Sequence, residues 1–186
     1  SVLIRNSLRE LFPEVTGRML ADVATEWGVD QKTACRRLMP GGACYFQMNE
    51  EDVERVIAHP LAMIGSDGLP HDRHPHPRLW GTVPRVRARC GRERGLFRLE
   101  RAVHKVTGRS ARNFKLHRRG RLQAGWYADI VVFDPAHVRD CASYEQPLEV
   151  SEGIAAVYVN GVPSWRGDPP ASTGRAGRWL ERTSAS

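Results

Sequence analysis

The chain has 186 residues, 41% of them hydrophobic and 26% charged, which is ordinary globular usage and room for one domain or one domain with a small appendage. No stretch approaches the roughly 18 consecutive apolar residues of a membrane-spanning helix, and the N-terminal SVLIRNSLRELFPEV lacks the basic start, apolar centre and cleavage site of a secretory signal. The net charge of +7 is concentrated between Arg85 and Arg121, where 14 Lys and Arg face only Glu93 and Glu100; arginine dominates and aromatic residues do not interleave as a series of stacking platforms, Phe97 and Phe114 standing far apart, so neither nucleic acid nor a membrane is an expected partner.

In chain order, Thr16 is placed to cap a first helix in which Leu20, Val23, Ala24 and Trp27 recur at helical spacing, with Gly28 ending it. Asp30 caps a second helix that runs to about Met39 and breaks at Pro40–Gly41–Gly42. Ala43 to Met48 is a short apolar run of strand length. Asn49 caps a third helix whose first turn holds Glu50, Glu51 and Asp52, where acids favour the helix dipole. His59–Pro60 ends that helix, because the residue before proline avoids the helical region. Leu61–Ile64 reads as the next strand. Strand, helix and strand with short joints make a βαβ unit with parallel strands, and ligands meet the carboxyl ends of such strands. Asp67 follows the second strand directly.

A loop rich in His and Pro follows, then a helix from Arg92 to Val106 stopped by Thr107–Gly108, and a short helix capped by Ser110 through about Leu116. The character changes near Arg118. Ala128 to Phe133 is a β-branched strand closed by Asp134–Pro135. Ile154 to Val159 is another, and Asn160–Gly161 signals a hairpin returning through Trp165. From Gly167 onward the composition is that of a loose tail. The four cysteines, Cys35, Cys44, Cys90 and Cys141, form no C-x-x-C pair, so neither a zinc ribbon nor a thioredoxin-type motif is signalled. Reduced thiols of a cytoplasmic protein are the expectation.

Several strings together resemble the N-acyl-D-amino-acid deacylases of the amidohydrolase superfamily. They are IGSDGLP from Ile64, HPHPRLWGT from His74, Pro84–Arg85–Val86, the run Glu100 to Gly108, Arg119 to Leu122, Ala128 to Pro135, and Gly153 to Gly161. The resemblance runs in order from about Pro13 to Val162. It implies an α/β fold: residues 1–117 as the last strands and helices of a partial (β/α)8, TIM-type barrel, and residues 118–186 as the C-terminal share of a small composite β-sandwich with a flexible tail. It implies a zinc-dependent hydrolase of the linear amide bond of small-molecule N-acyl-D-amino acids. The family's metal ligands lie upstream of anything in this sequence, so the resemblance assigns no metal ligand to this chain. It further implies that the N-terminal remainder of the barrel is required and that the chain alone is inactive.

The same resemblance gives Asp67 the catalytic role, accepting a proton from metal-bound water and passing it to the leaving amine. It gives Arg78 the substrate's α-carboxylate, a task that suits a guanidinium fork. Ser66 and His71 are further candidates for substrate contact beside Asp67. His74 and His76 carry a ligand-like His-x-His spacing, but they sit in a proline-stiffened loop and are read as packing or lid residues. Trp80 is read as packing. No general base for a serine nucleophile is visible, which argues against a serine hydrolase. A non-catalytic remnant or an assembly piece without the metal site, and an arginine-rich nucleic-acid binder, are the competing readings.

Overall fold

The computed structural model describes residues 1–7, 12–70, 74–167 and 170–180. Its elements are helices and small sheets, and they fall into two units. Unit 1 comprises Ser1–Val53, Ser66–Trp80 and Ala142–Glu149; unit 2 comprises Glu54–Gly65, Gly81–Cys141 and Val150–Ser186.

In unit 1, strand β1 (Val2–Ser7) and a 3-10 turn (Pro13–Val15) lead to helices α1 (Leu20–Glu26) and α2 (Gln31–Leu38), and then to strand β2 (Gly41–Tyr45). Asp30 caps α2 as its position demands: Oδ1 accepts the Thr33 N–H at 2.8 Å and Oδ2 accepts the Thr33 hydroxyl at 3.0 Å. These bonds hold its carboxyl below the usual carboxylate range. Gly28, at φ +63°, ends α1. Thr16 does not cap α1. Its N–H closes the preceding tight turn onto Pro13 O at 3.3 Å, and Met19 occupies the cap position without a side-chain bond. Ile4, Val15, Leu20, Val23, Ala24, Ala34 and Leu38 are buried together, with Phe12 and Trp27 packed against them at a ring separation of 5.1 Å. Each buried aliphatic side chain of this size stabilises the unit by about 1.5–3 kcal/mol relative to exposure.

Helix α3 (Glu50–Ala58) begins at Asn49, whose Oδ1 accepts the Glu51 N–H at 2.8 Å, and stops before His59–Pro60. The βαβ unit expected around it is not formed. Strand β2 pairs antiparallel with β1, Val2 opposite Tyr45 and Ser7 opposite Gly41, and Leu61–Ile64 has no regular structure. A strand exists only by pairing, and no described segment offers residues 61–64 a ladder. Leu61 is accordingly 72% exposed and Met63 37%. Bonds to Lys105 take the place of a ladder. Its Nζ donates to His59 O at 2.6 Å and Ala62 O at 3.2 Å, and its own carbonyl accepts the Ile64 N–H at 3.4 Å.

The His/Pro loop runs into an unforeseen helix, α4 (Arg78–Arg85), which continues as a π-helical stretch (Val86–Glu93). Pro84 sits in the last turn of α4, where its missing N–H removes one helical bond, and the wider spiral follows directly. The helix expected over Arg92–Val106 is broken. Arg94 N–H closes onto Arg89 O, Gly95 turns at φ +62°, and α5 spans only Leu99–Val106. Ser110 lies inside α6 (Gly108–Asn113), and its hydroxyl donates to Lys105 O at 3.0 Å. Val86, Phe97 and Ala102 are buried together, with Ile57, Ile64, Cys90 and Leu96 against them. Much of the positive charge between Arg85 and Arg121 is spent internally: Arg94 forks onto Glu54, Arg85 pairs with Asp140, and Arg87 and Arg92 donate to Pro135 O. All four cysteines are free thiols, and among the described residues no helix is long and apolar enough to cross a membrane.

Strands β3 (Ile130–Phe133), β4 (Ile154–Val159), β5 (Val162–Gly167) and β6 (Pro170–Ser172) form one antiparallel sheet in that order. The β4–β5 turn has positive φ at both central residues, Asn160 (51°) and Gly161 (82°), the conformation that Asn-Gly supplies at least cost. Part of the tail is therefore ordered, since β6 pairs with β5. One polar network fixes this sheet. Buried Arg119 bonds Asp129 Oδ2 and donates to Asn160 Oδ1 at 2.6 Å, with its guanidinium 4.1 Å from the Tyr127 ring centre. Asp129 Oδ1 accepts the Asn160 N–H at 2.9 Å. Burial opposes the Asp129 charge, yet the Asn160 N–H and Arg119 outweigh it and hold the carboxyl below its ordinary value.

Because the folded value is depressed, the Asp129 contribution is fully present above the unfolded value of about 3.9 and is lost as pH falls through the folded value below it. Asp129→Asn lowers the opening free energy of the β4–β5 hairpin by about 1–3 kcal/mol, less than for a fully buried pair because Asp129 keeps some contact with water. Hydrogen exchange of the 154–159 amides reads this as roughly 5- to 150-fold less protection. Unchanged protection at neutral pH would remove the network from the account of this sheet.

Candidate functional site

The chain between Ile64 and Leu69 makes the turn that holds the candidate acid. Asp67 adopts φ +49°, the left-handed region that Asp tolerates better than most residues. Ser66 Oγ accepts the Gly68 N–H at 3.3 Å, closing the turn from within. Gly68 is required by contact: a Cβ built there would lie 2.8 Å from both Cα and Cδ1 of Leu79. With no side chain, the turn lies directly on the first turn of α4. That approach brings Asp67 Oδ2 to 2.7 Å from Arg78 Nη2. The acid is 80% exposed and the arginine 35%.

The start of α4 is held by its own histidine. His76 Nδ1 accepts the Arg78 N–H at 3.0 Å, so the neutral ring carries its proton on Nε2. That nitrogen lies 3.3 Å from the Tyr144 hydroxyl, and the two rings meet edge to face at 5.2 Å. His74 Nε2 donates to Tyr144 O at 2.7 Å, while its ring lies over Gly17. Pro75 between them is fully buried, and Phe46 closes on Tyr144 at 4.7 Å. The histidines therefore anchor the loop within unit 1, with His74 Nε2 and both ring nitrogens of His76 engaged by Tyr144 and by the main chain.

Two of the expected site residues, Asp67 and Arg78, meet in an ion pair, and Ser66 is drawn into the turn beside them. His71 lies outside the described residues. Trp80, read as packing, is 46% exposed. Sequence reasoning missed Gly68 as the residue that makes the pairing possible. Its signal was the second glycine of Gly65–Ser66–Asp67–Gly68, which permits a sharp turn and a close approach. A groove of 480 Å³ opens elsewhere, over the β4–β5 pair, with Asp134, Ile154, Tyr158, Trp165 and Arg166 among its lining residues. None of the candidate residues lines it. Among the described residues no three His, Cys, Asp or Glu side chains come together to hold a metal ion. The described residues thus hold no zinc site of their own.

A profile of the amidohydrolase family matches residues 13–164, and the chain belongs to that family. A D-aminoacylase from Alcaligenes xylosoxydans xylosoxydans is 55% identical over 175 residues, covering 94% of this chain and 36% of that protein. A crystal structure of D-aminoacylase, described as defining a novel subset of amidohydrolases, superposes with a TM-score of 0.91 at 50% identity over 97% of this chain and 38% of that one. The N-acyl-D-glutamate deacylase of Bordetella bronchiseptica, solved with zinc and a phosphonate mimic of the tetrahedral intermediate, superposes with a TM-score of 0.89 at 49% identity over 98% of this chain and 37% of that one. The chain spans about a third of the length of the relatives it matches.

Gly68→Ala tests the geometry directly. The added methyl has backbone on its far side and cannot be accommodated by a rotamer change, so the turn lifts from α4 at a cost of about 1–3 kcal/mol. A crystal structure of the variant should show Asp67 and Arg78 separated beyond the ion-pairing distance. An unchanged separation of 2.7 Å would sink the assignment of Gly68.

Proposed function

We propose that this amidohydrolase-family chain is the C-terminal portion of an enzyme that hydrolyses the amide of N-acyl-D-amino acids, releasing a carboxylate and the free D-amino acid. The observation that carries the proposal is the pairing at 2.7 Å of Asp67, on its short turn, with Arg78 at the start of α4. Amide hydrolysis of such a substrate asks for a carboxylate that moves a proton and a cation that recognises the α-carboxylate. Asp67 takes a proton from the attacking water and delivers it to the amine nitrogen as the C–N bond breaks. Arg78 presents the planar fork that matches a carboxylate. Ser66 and His71, within four residues of Asp67 in sequence, are the further candidates for substrate contact.

In this reading residues 1–117 are the last strands and helices of a (β/α)8 barrel, and 118–186 are the C-terminal share of a small β-sandwich. The exposure of Leu61 and Met63 supports it, since a barrel strand separated from its neighbours leaves both without cover. Among the described residues no three His, Cys, Asp or Glu side chains come together for a zinc ion of the kind bound by the glutamate deacylase, and in this reading its ligands are carried by the remainder of the barrel.

The test joins this chain to the part of the Alcaligenes D-aminoacylase that precedes the matching region. The chimaera should hydrolyse N-acetyl-D-amino acids, and the chain alone should not. Asp67→Asn in the chimaera should lower kcat by about 10²- to 10⁴-fold, the range of general acid–base assistance. Arg78→Lys should raise KM about tenfold with a smaller effect on kcat, because the ammonium loses the bidentate contact. A folded chimaera that binds zinc yet hydrolyses none of these substrates would overturn the proposal.

A further inference from the structure

His76 takes no part in the reaction proposed above, yet it stands behind both residues that the Asp67 turn meets. It lies between Pro75 and Pro77, both buried, so its backbone has little freedom. Pro77 has no N–H, and the first amides of α4 that need an acceptor from outside the helix are those of Arg78 and Leu79. His76 supplies both acceptors. Its ring Nδ1 takes the Arg78 N–H at 3.0 Å, and its carbonyl takes the Leu79 N–H at 3.0 Å. These are the two residues against which the turn is seated. Arg78 Nη2 lies 2.7 Å from Asp67 Oδ2, and Gly68 lies on the backbone of Leu79. The ring is held from its other side as well. Its Nε2 lies 3.3 Å from the Tyr144 hydroxyl, while the Tyr144 carbonyl accepts from His74 at 2.7 Å and Phe46 closes on the Tyr144 ring. All of these residues belong to unit 1. A nitrogen that accepts a main-chain N–H carries no proton, so the neutral ring donates from Nε2 towards Tyr144.

We propose that His76 is the positioning residue for Arg78 and thereby a determinant of selectivity for substrates that carry an α-carboxylate: its ring, braced by Tyr144, fixes the first turn of α4 so that the guanidinium is presented in one orientation. The selectivity half of this inference rests on the function proposed above; the mechanical half stands on the bonds of His76 alone. A guanidinium at the end of a long side chain has many rotamers, and it meets a carboxylate with two N–H groups only where its backbone is held. Phenylalanine at position 76 would fill the space of the ring and leave the Arg78 N–H without this acceptor, and the first turn would open to reach water. Asparagine would keep a side-chain oxygen that can accept the N–H two residues on, as in an Asx turn.

Three measurements on the chimaera described above test it. In the protein without further substitution, the ¹⁵N resonances of labelled histidine at mildly alkaline pH should show His76 with its proton on Nε2; a proton on Nδ1 would overturn the proposal. In His76→Phe, hydrogen exchange of the Arg78 amide should quicken about tenfold, and in His76→Asn it should stay within about threefold of the parent. No change in His76→Phe, or an equal rise in the 154–159 amides, would overturn positioning. In kinetics, the readout is the ratio of kcat/KM for an N-acetyl-D-amino acid to that for the corresponding carboxamide, which lacks the α-carboxylate. His76→Phe should lower this ratio about tenfold, chiefly through KM for the acid, and His76→Asn should restore it to within about threefold. His76→Phe added to Arg78→Lys should lower it no further, because the histidine acts through the arginine. An unchanged ratio in an active His76→Phe enzyme, or a further loss in the double variant, would overturn the selectivity role while leaving the deacylase reading in place. A folded parent chimaera without activity would end the deacylase reading, and with it the selectivity role, and leave the resonance and exchange results to decide the mechanical half.

Discussion

A buried ammonium ion has to find oxygen, and in this chain it finds the carbonyls around one turn. Lys105 joins α5, which carries it, to the exit of α3, and Ser110 of α6 adds a bond to the Lys105 carbonyl. The exit of α3, α5 and α6 thus share one residue. Its apolar surroundings are a small cluster centred on Val86, Phe97 and Ala102, too few side chains to place a turn by packing alone. The charge supplies the direction that the hydrophobic contacts lack. A cation just past the last residues of a helix also complements the carbonyl end of its dipole, so the same group terminates α3 and sets where the chain goes next.

The candidate rim in unit 1 depends on contacts of a different kind. It is shaped by what is missing at Gly68 and by what is stiff at Pro75 and Pro77. Removing one Cβ lets a turn lie on a helix backbone, and the two prolines fix the approach to α4 so that His74 and His76 can reach Tyr144. The His-x-His spacing resembles a ligand pair, yet the geometry uses it to brace a loop. A histidine whose Nδ1 accepts a main-chain N–H has its tautomer set by the fold.

Local signals in the sequence read well where one residue decides the outcome. Asp30 and Asn49 cap helices, Gly28 ends one, and Asn160–Gly161 turns a hairpin, because each answers to its own φ, ψ and side-chain reach. Reading failed where the partner decides. Leu61–Ile64 has strand composition and no strand beside it. The helix over Arg78–Arg85 was hidden by Pro77 and Pro84, which can stand at a helix start and within its last turn. The break at Arg94–Arg98 was hidden by apolar spacing that spans it, since periodicity takes no account of one glycine at positive φ. At the site, Asp67 and Arg78 were legible as types, and the contact between them was not, because it is made by the approach of Gly68 to Leu79 across eleven residues. The basic segment misled in a similar way. Its charge looked available for a polyanion, and the fold commits several of the arginines to Glu54, Asp140 and main-chain carbonyls.

The Asp67–Arg78 pair also shows how the setting of a contact decides its strength. With Asp67 80% exposed, the pair at 2.7 Å is screened by water, and exposed pairs contribute about 0–1 kcal/mol. Two unit charges about 4 Å apart interact by about 1 kcal/mol in bulk water and about 4 kcal/mol at the effective dielectric of a protein surface region. Covering this turn with the rest of a barrel would therefore multiply the field at Asp67 several-fold without moving an atom. The covering would also remove the water that competes for Arg78, and a carboxylate ligand would then meet the guanidinium in a setting where a bidentate contact counts. The turn supplies the geometry, and the chemistry depends on the surface that excludes water from it. Under the function proposed above, the acid and the arginine can therefore stand in register and still lack the environment in which they act.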